Sequence, residues 1–203
     1  MPDPYRWLEN DTSQEVKEWV KKQNKVTFNY LEKIPYRQKL KNRLSEIWNY
    51  KKVSTPRMQG GKYFYFKNDG LQNHDVLYMK ENLNSEEKMV LNPNTFSEDG
   101  SVSLASFKAS HDGKYLAYSV SKSGSDWEKI HIKNLHTDST LDDHLKWIKF
   151  SNIAWYKDGF FYSRYEKPEE GKEYSQINTN QKVYYHKVGT KQSEDRLVFN
   201  KPS

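Results

Sequence analysis

The chain has 203 residues, a formal net charge of +6 and no cysteine, and its mean hydropathy is -1.08. Without cysteine, disulfides, thiolate metal sites and a thiol nucleophile are excluded, and no apolar run approaches the ~18 residues of a membrane-spanning helix. The charge comes mostly from lysines scattered among acids, which favours a solvated surface over nucleic-acid binding. These properties predict a soluble cytoplasmic protein with neither nucleic acid nor a membrane as a partner.

Two helices are predicted at the start of the chain. Asp11 is a suitable N-cap residue, and Gln14 three positions later completes a capping-box-like pattern. Apolar side chains then recur every three or four residues, the spacing of one helix face, up to Pro35, which ends the helix. The same spacing predicts a second helix from Tyr36 to Asn49. Residues 1–49 are therefore predicted to form a helical hairpin.

After Tyr50 the apolar pattern alternates with a period of two, as in half-buried strands. Aromatic residues make up 15% of the chain and suit a pleated surface. Turn residues such as Asn68-Asp69-Gly70 separate the apolar runs, and no further helix is predicted. The predicted strands are Lys62–Phe66, Val76–Met79, Lys88–Leu91, Leu104–Ala109, Ile130–Lys133, Asn152–Tyr156 and Val183–His186.

Three turns introduce similar segments. Gly60-Gly61-Lys62, Asp112-Gly113-Lys114 and Asp158-Gly159-Phe160 recur at intervals of about 50 residues, and each is followed by a second strand. A repeat of this length with three or four short strands is typical of a β-propeller blade. A β-sandwich with glycine-rich turns is the alternative. We therefore predict a mainly β fold in which residues 50–203 form about three blades, fewer than the roughly 4 to 8 that close a ring.

No catalytic, metal or cofactor motif is found in the sequence. The G-x-S-x-G pattern of a nucleophilic serine is absent, and its nearest relative, Ser123-Gly124-Ser125, lacks the second glycine and is predicted to be a turn. The six histidines have no metal-ligand spacing. The acidic pairs Asp142-Asp143 and Glu169-Glu170 are predicted to lie in loops, not as a positioned acid and base. Catalytic residues, metal and cofactor are all predicted to be none.

Several strings of the sequence resemble those of a known family. Asp3-Pro4-Tyr5-Arg6-Trp7-Leu8-Glu9 resembles the opening of prolyl oligopeptidases, and the Asp-Pro pair favours this branch over the oligopeptidases that prefer basic residues. Further similar strings follow in the same order over almost the whole chain. They are Gly70–Asn73, Val76–Tyr78, Ser97–Val102, Ser123–Trp127, Lys149–Ser151, Ala154–Trp155, Tyr184–His186 and Gly189–Asp195.

The resemblance implies a serine peptidase in which a propeller of about seven blades covers an α/β-hydrolase domain and admits short peptides, which are cut after proline. It implies that residues 1–49 pack on the hydrolase domain. That domain, which carries the Ser, Asp and His of the family, is predicted to be absent from this chain.

The resemblance also implies two substrate-binding residues. Phe150 corresponds to a propeller residue of the substrate pocket, and Asp126 to an acid beside a substrate-binding arginine of the hydrolase domain. Each has a structural alternative, because Phe150 could pack between blades and Asp126 could cap its own Ser-Gly turn.

Two functions are compatible with these observations. In the first, the chain is the propeller portion of a prolyl endopeptidase, inactive alone, which binds short proline-containing peptides only with the missing hydrolase domain. That domain could lie on a separate chain as a C-terminal half. In the second, the chain is a stand-alone module that binds peptides or proteins on an open propeller face.

Overall fold

The computed structural model describes residues 3–200, which divide into two compact units. One unit contains the residues up to Asn49 together with Pro168–Ile177. The other contains Tyr50–Lys167 and the residues from Asn178 onward. The boundary after Asn49 coincides with the change from a helical to an alternating apolar pattern.

The first unit contains the predicted pair of helices, α1 (Gln14–Glu32) and α2 (Arg37–Trp48). The N-cap of α1 is Ser13, whose hydroxyl accepts a hydrogen bond from the Val16 amide at 3.2 Å, so the prediction of Asp11 as N-cap was wrong. Asp11 lies too far upstream to reach the free amides of a helix that begins at Gln14.

The second unit consists of three consecutive antiparallel sheets, as predicted for propeller blades. The first sheet contains β1 (Lys52–Val53), β2 (Arg57–Gln59), β3 (Lys62–Asn68), β4 (Val76–Lys80) and β5 (Lys88–Leu91). The second contains β6 (Val102–Ala109), β7 (Tyr115–Lys122), β8 (Glu128–Asn134) and β9 (Thr140–Ile148). The third contains β10 (Ala154–Tyr156), β11 (Gly159–Arg164), β12 (Lys182–Lys187) and β13 (Arg196–Phe199). Within the described residues, only short 3-10 turns interrupt this order after α2.

The repeated glycine turns connect the first two strands of the repeating four-strand unit. Gly61 and Gly113 have φ angles of +74° and +66°, a region that L-residues with a side chain rarely adopt. In the third turn the left-handed residue is Lys157, and Gly159 is required for space, because a Cβ atom there would lie 2.0 Å from the His186 carbonyl oxygen.

The fourth strands β9 and β13 were not predicted. Asp142 and Asp143, expected in a loop, lie within β9, and Asp143 is buried. Irregular pairing between β8 and β9 breaks the simple alternation of apolar side chains by which strands are recognised.

Two apolar layers join the sheets. We call the layer between the first and second sheets the first seam and that between the second and third sheets the second seam. Leu116 of β7 points into the first seam and the next residue, Ala117, into the second, so the middle sheet is buried on both faces. The first seam contains Phe64, Leu77, Met79, Val90, Leu91, Ala109, Leu116, Tyr118 and Leu135. The second seam contains Ala117, Ile130, Ile132, Leu145, Ile148, Ile153, Trp155, Phe160, Tyr162 and Tyr184.

Neither α-helix described here has the length and apolarity needed to cross a membrane.

Candidate functional site

Both site residues predicted from the sequence lie in loops at one end of the second sheet. Glu128 of β8 pairs with Ile148 of β9, so the loop before Glu128 and the loop after Ile148 leave the sheet at the same end. Asp126 lies in the first loop and Phe150 in the second. The strand register therefore brings together two loops that are 24 positions apart in the sequence at these residues.

Phe150 occupies a strained turn and points away from the protein. Its φ angle is +51°, in the left-handed region, and its side chain is 77% exposed, so it does not pack between the blades. The turn is tied to the third sheet at both ends. The Gln181 side-chain amide donates to the Lys149 carbonyl at 2.9 Å, and the Ser163 amide donates to the Ser151 hydroxyl at 2.7 Å.

Asp126 lies in a turn that Ser125 stabilises. The Ser125 hydroxyl accepts a hydrogen bond from the Trp127 amide at 3.0 Å, and the Ser125 carbonyl accepts one from the Ser121 hydroxyl. Asp126 is exposed and makes no hydrogen bond or salt bridge to another residue of the described chain. Its carboxylate does not cap the Ser-Gly turn and is directed to no internal partner.

An aromatic cluster underlies these two loops, and the sequence reasoning missed it. The Trp127 ring meets Trp147 edge to face at 5.6 Å and Tyr165 at 6.1 Å. The ammonium of Lys149 lies 4.0 Å from the centroid of the Trp127 ring. Trp127 directly follows Asp126, and Lys149 directly precedes Phe150. The contact between the two loops is therefore made by the chain neighbours of the two predicted site residues.

A cluster of polar side chains is fully buried in the second seam. His186 of β12 pairs through Nε2 with Asp143 at 2.8 Å and through Nδ1 with Asp195 at 2.7 Å. Burial lowers the pKa of His186, but the hydrogen bonds and charges of Asp143 and Asp195 outweigh it and raise that pKa to about 9. The Tyr162 hydroxyl donates to Asp195 at 2.5 Å. Because both ring nitrogens are occupied and the ring is inaccessible, this cluster holds sheets together and offers no base to a substrate.

Two further histidines, His131 and His144, contact each other. His131 and His144 lie 3.0 Å apart through their Nδ1 atoms on neighbouring strands. Burial, together with the neighbouring His144 and Lys129, lowers the pKa of His131 to about 4. Within residues 3–200 no serine hydroxyl is hydrogen-bonded to a histidine ring, and no group of three or more potential ligands is arranged to hold a metal ion.

A cleft of about 470 Å³ opens between the first and second sheets, away from Phe150 and Asp126. Arg57, Gln59 and Phe64 line one side of it, and Leu104 and Phe107 the other. The lining contains serines but neither a histidine nor a carboxylate, so a hydroxyl there has no adjacent general base.

Comparison with known proteins places this architecture in context. A sequence profile described as "Prolyl oligopeptidase, N-terminal beta-propeller domain" matches residues 1–203. The prolyl endopeptidase of Elizabethkingia meningoseptica is 50% identical over 97% of this chain and 28% of its own length. The prolyl endopeptidase of Dictyostelium discoideum is 34% identical over 98% of this chain and 33% of its own length. The chain therefore spans about a third or less of these relatives.

Solved structures agree with the sequence comparison. Prolyl oligopeptidase B from Galerina marginata, bound to a 35mer hydrolysis and macrocyclization substrate, aligns with a TM-score of 0.84 at 35% identity. The alignment covers 99% of this chain and 31% of that protein. Oligopeptidase B from Leishmania major is 18% identical with a TM-score of 0.73, which shows a shared fold alone.

Proposed function

The chain belongs to the prolyl oligopeptidase family as its N-terminal propeller portion, and we propose that it forms the substrate-admitting side of a serine endopeptidase that cleaves short peptides after proline. A hydrolase domain supplies the nucleophile, the base and the oxyanion donors in this proposal, on the same chain or as a separate C-terminal half. No cofactor takes part. The propeller portion contributes binding groups and controls access.

Two segments of the chain have different roles in this proposal. Residues 1–49 pack on the hydrolase domain, and residues 50–203 form the partial propeller. The exposed apolar side chains of α2 support the first role, because Leu40, Leu44 and Ile47 lie on one helix face and are each about half exposed. The three sheets in blade order support the second.

The observation that carries the site is the exposed ring of Phe150 on a left-handed turn, beside the loop of Asp126. A solvent-exposed aromatic ring on a tied turn is suited to contact an apolar substrate side chain. The carboxylate of Asp126 is free to pair with an arginine of the hydrolase domain. We infer that Phe150 contacts the substrate and that Asp126 orients the arginine that holds it.

Activity of the isolated chain is the first test. Acyl transfer requires an activated nucleophile with its base and oxyanion donors, and each contributes orders of magnitude to the rate. We expect no hydrolysis of a chromogenic Gly-Pro substrate by the chain alone at neutral pH. Turnover that a serine-directed fluorophosphonate abolishes would overturn this expectation.

A chimera tests the positive half of the proposal. In it, residues 1–203 replace the matching segment of the Elizabethkingia meningoseptica prolyl endopeptidase, which is 50% identical over 199 residues. We expect the chimera to cleave the Gly-Pro substrate after proline. A chimera that is folded and monodisperse but has no activity would contradict the proposed role.

The same chimera tests the two site residues. Phe150→Ala is expected to raise KM about tenfold with little change in kcat, because the ring contributes binding in both the ground and the transition state. Asp126→Asn is expected to raise KM in the same direction. Tyr156→Ala is the matched control, since Tyr156 is also exposed but lies at the opposite end of the third sheet. Equal effects of Phe150→Ala and Tyr156→Ala would argue against a specific site.

A further inference from the structure

The turn that presents Phe150 is held in an unfavourable backbone conformation. Both Phe150 and Trp147 have positive φ angles, +51° and +64°, although neither is a glycine. Bulky residues adopt this region only where surrounding contacts over-determine it. The structure must therefore contain contacts that select this conformation over relaxed ones.

Lys149 provides an unusual contact of this kind. A lysine is rarely buried without a partner, yet Lys149 is only 9% exposed. Its ammonium lies 4.0 Å from the centroid of the Trp127 ring, where the negative face of the indole attracts a cation. Because the cation is largely withdrawn from water, this attraction is stronger than at an exposed site.

Trp127 is itself fixed, so it can serve as an anchor. Its ring is flanked edge to face by Trp147 and Tyr165. The Tyr165 amide donates to the Trp147 carbonyl at 2.9 Å, which ties this flank of the cluster to the end of β11. A cation that stacks on Trp127 is thereby held against a rigid support.

We propose that the stack of Lys149 on Trp127 braces the two loops of the site and fixes Phe150 relative to Asp126. Lys149 and Trp127 are positioning residues, since each is the chain neighbour of a proposed substrate-face residue and neither is that residue itself. The inference rests on the proposed function, because it deepens the role of Phe150 and Asp126 in substrate binding.

The chemistry of the stack defines informative substitutions. Lys149→Arg keeps a cation that stacks on an aromatic face, whereas Lys149→Met keeps an apolar chain of similar length without the charge. Lys157→Met is the matched control. Like Lys149, Lys157 lies over an aromatic ring, that of Tyr156, but Lys157 is exposed in a left-handed turn at the other end of the sheet.

Limited proteolysis tests the brace on the chain itself. Chymotrypsin cleaves after exposed aromatic residues but needs a locally extended, mobile segment. We expect cleavage after Phe150, mapped by mass spectrometry, to be about tenfold faster in Lys149→Met than in the wild type, as expected for the loss of a contact of this kind. Lys149→Arg should return the rate to near the wild-type value, and Lys157→Met should leave it unchanged. Equal rates in Lys149→Met and the wild type would overturn the brace.

The chimera with the Elizabethkingia meningoseptica enzyme tests the consequence for binding. We expect Lys149→Met to raise KM about fivefold with kcat within about twofold, Lys149→Arg to recover most of the loss, and Lys149→Met to add nothing to Phe150→Ala. If Phe150→Ala raises KM and Lys149→Met does not, the inference fails and the proposed function stands. If Phe150→Ala leaves KM unchanged, the proposed binding role fails, and with it the role of the brace in binding.

Discussion

The two seams both lie between consecutive antiparallel sheets, but their side chains differ in chemistry. The first seam is an apolar layer with side-chain ties beside it, in which the Gln59 amide oxygen accepts the Ala109 amide at 3.0 Å and the Lys133 ammonium donates to the Val90 carbonyl at 2.8 Å. The second seam contains the buried pair of His186 and Asp143, and the Trp155 indole there donates to the Lys108 carbonyl at 2.9 Å. Apolar packing is non-directional, whereas hydrogen bonds fix one register.

This difference relates to where the candidate site lies. The loops of Asp126 and Phe150 leave the middle sheet, and the turn of Phe150 is tied to the third sheet through Gln181 and Ser163. A small slide at the second seam would therefore move the turn, and directional ties oppose such a slide. We expect the second seam to be more sensitive to charge and pH than the first.

Breaking the ionic tie of the second seam should have the largest effect on stability. Asp143→Ala leaves His186 partly unpaired in the interior and removes the acceptor of the Gly189 amide, so we expect a loss of about 3 to 5 kcal/mol in the free energy of unfolding. Asp142→Ala is the matched control on the same strand, because Asp142 is exposed. Its effect should stay within about 0.5 kcal/mol. Urea unfolding followed by tryptophan fluorescence measures both, and similar effects of the two variants would refute a special role of the buried pair.

Shortening a buried side chain of the first seam should lower the free energy of unfolding slightly less than Asp143→Ala does. This loss should not depend on pH. Leu77 is fully buried between the first two sheets, and Leu77→Ala is expected to cost about 3 kcal/mol through lost burial and an unfilled cavity. The exposed Leu83 provides the control Leu83→Ala. Urea unfolding at pH 6 and pH 9 measures the loss of unfolding free energy in both variants. A loss for Leu77→Ala that changed strongly with pH would contradict the expected difference between the two seams.

Because His186 lies in the second seam and is protonated there, we expect the free energy of unfolding to depend on pH through this seam. The folded-state pKa of about 9 lies above the value of about 6.5 for an unfolded histidine, so between these values the folded chain binds more protons than the unfolded chain. The contribution is complete below pH 6.5 and is lost as pH rises through 9, with a total of roughly 3 kcal/mol.

Urea midpoints between pH 6 and pH 9.5 measure this loss. His186→Gln should remove most of the pH slope in this range, because glutamine does not titrate. A slope that is the same in His186→Gln and in the wild type would assign the dependence to other groups.

The sequence predicted those parts of the fold that local patterns determine. The turns at Gly61 and Gly113 were found because left-handed backbone geometry selects glycine within a few residues. The strand β9 was missed, because its pairing with β8 is irregular and its buried acid, Asp143, is polar. A charged residue in a strand interior is expected only once its partner is known.

The site shows the same division. Phe150 and Asp126 were identified through family resemblance, and their exposure in the structure is compatible with the predicted roles, which remain to be tested. The stack of Lys149 on Trp127 could not be predicted, because these residues lie 22 positions apart and meet only through the register of β8 and β9. Non-local contacts of this kind leave no periodic signal in the sequence.

Phe150→Gly is expected to have the smallest effect on stability, because Phe150 is exposed and does not pack in a seam. Phe160 is fully buried in the second seam, whereas Phe150 contributes an exposed ring and a left-handed backbone. Phe150→Gly relieves about 1 to 2 kcal/mol of backbone strain and costs about 0.5 to 1 kcal/mol through the greater entropy of the unfolded chain, so we expect stability to be unchanged or to rise by up to about 1.5 kcal/mol. In the chimera the same substitution should raise KM as Phe150→Ala does. A stability loss above about 1 kcal/mol in the chain would show that the ring packs in solution, and the turn would then have a structural reason for its strain.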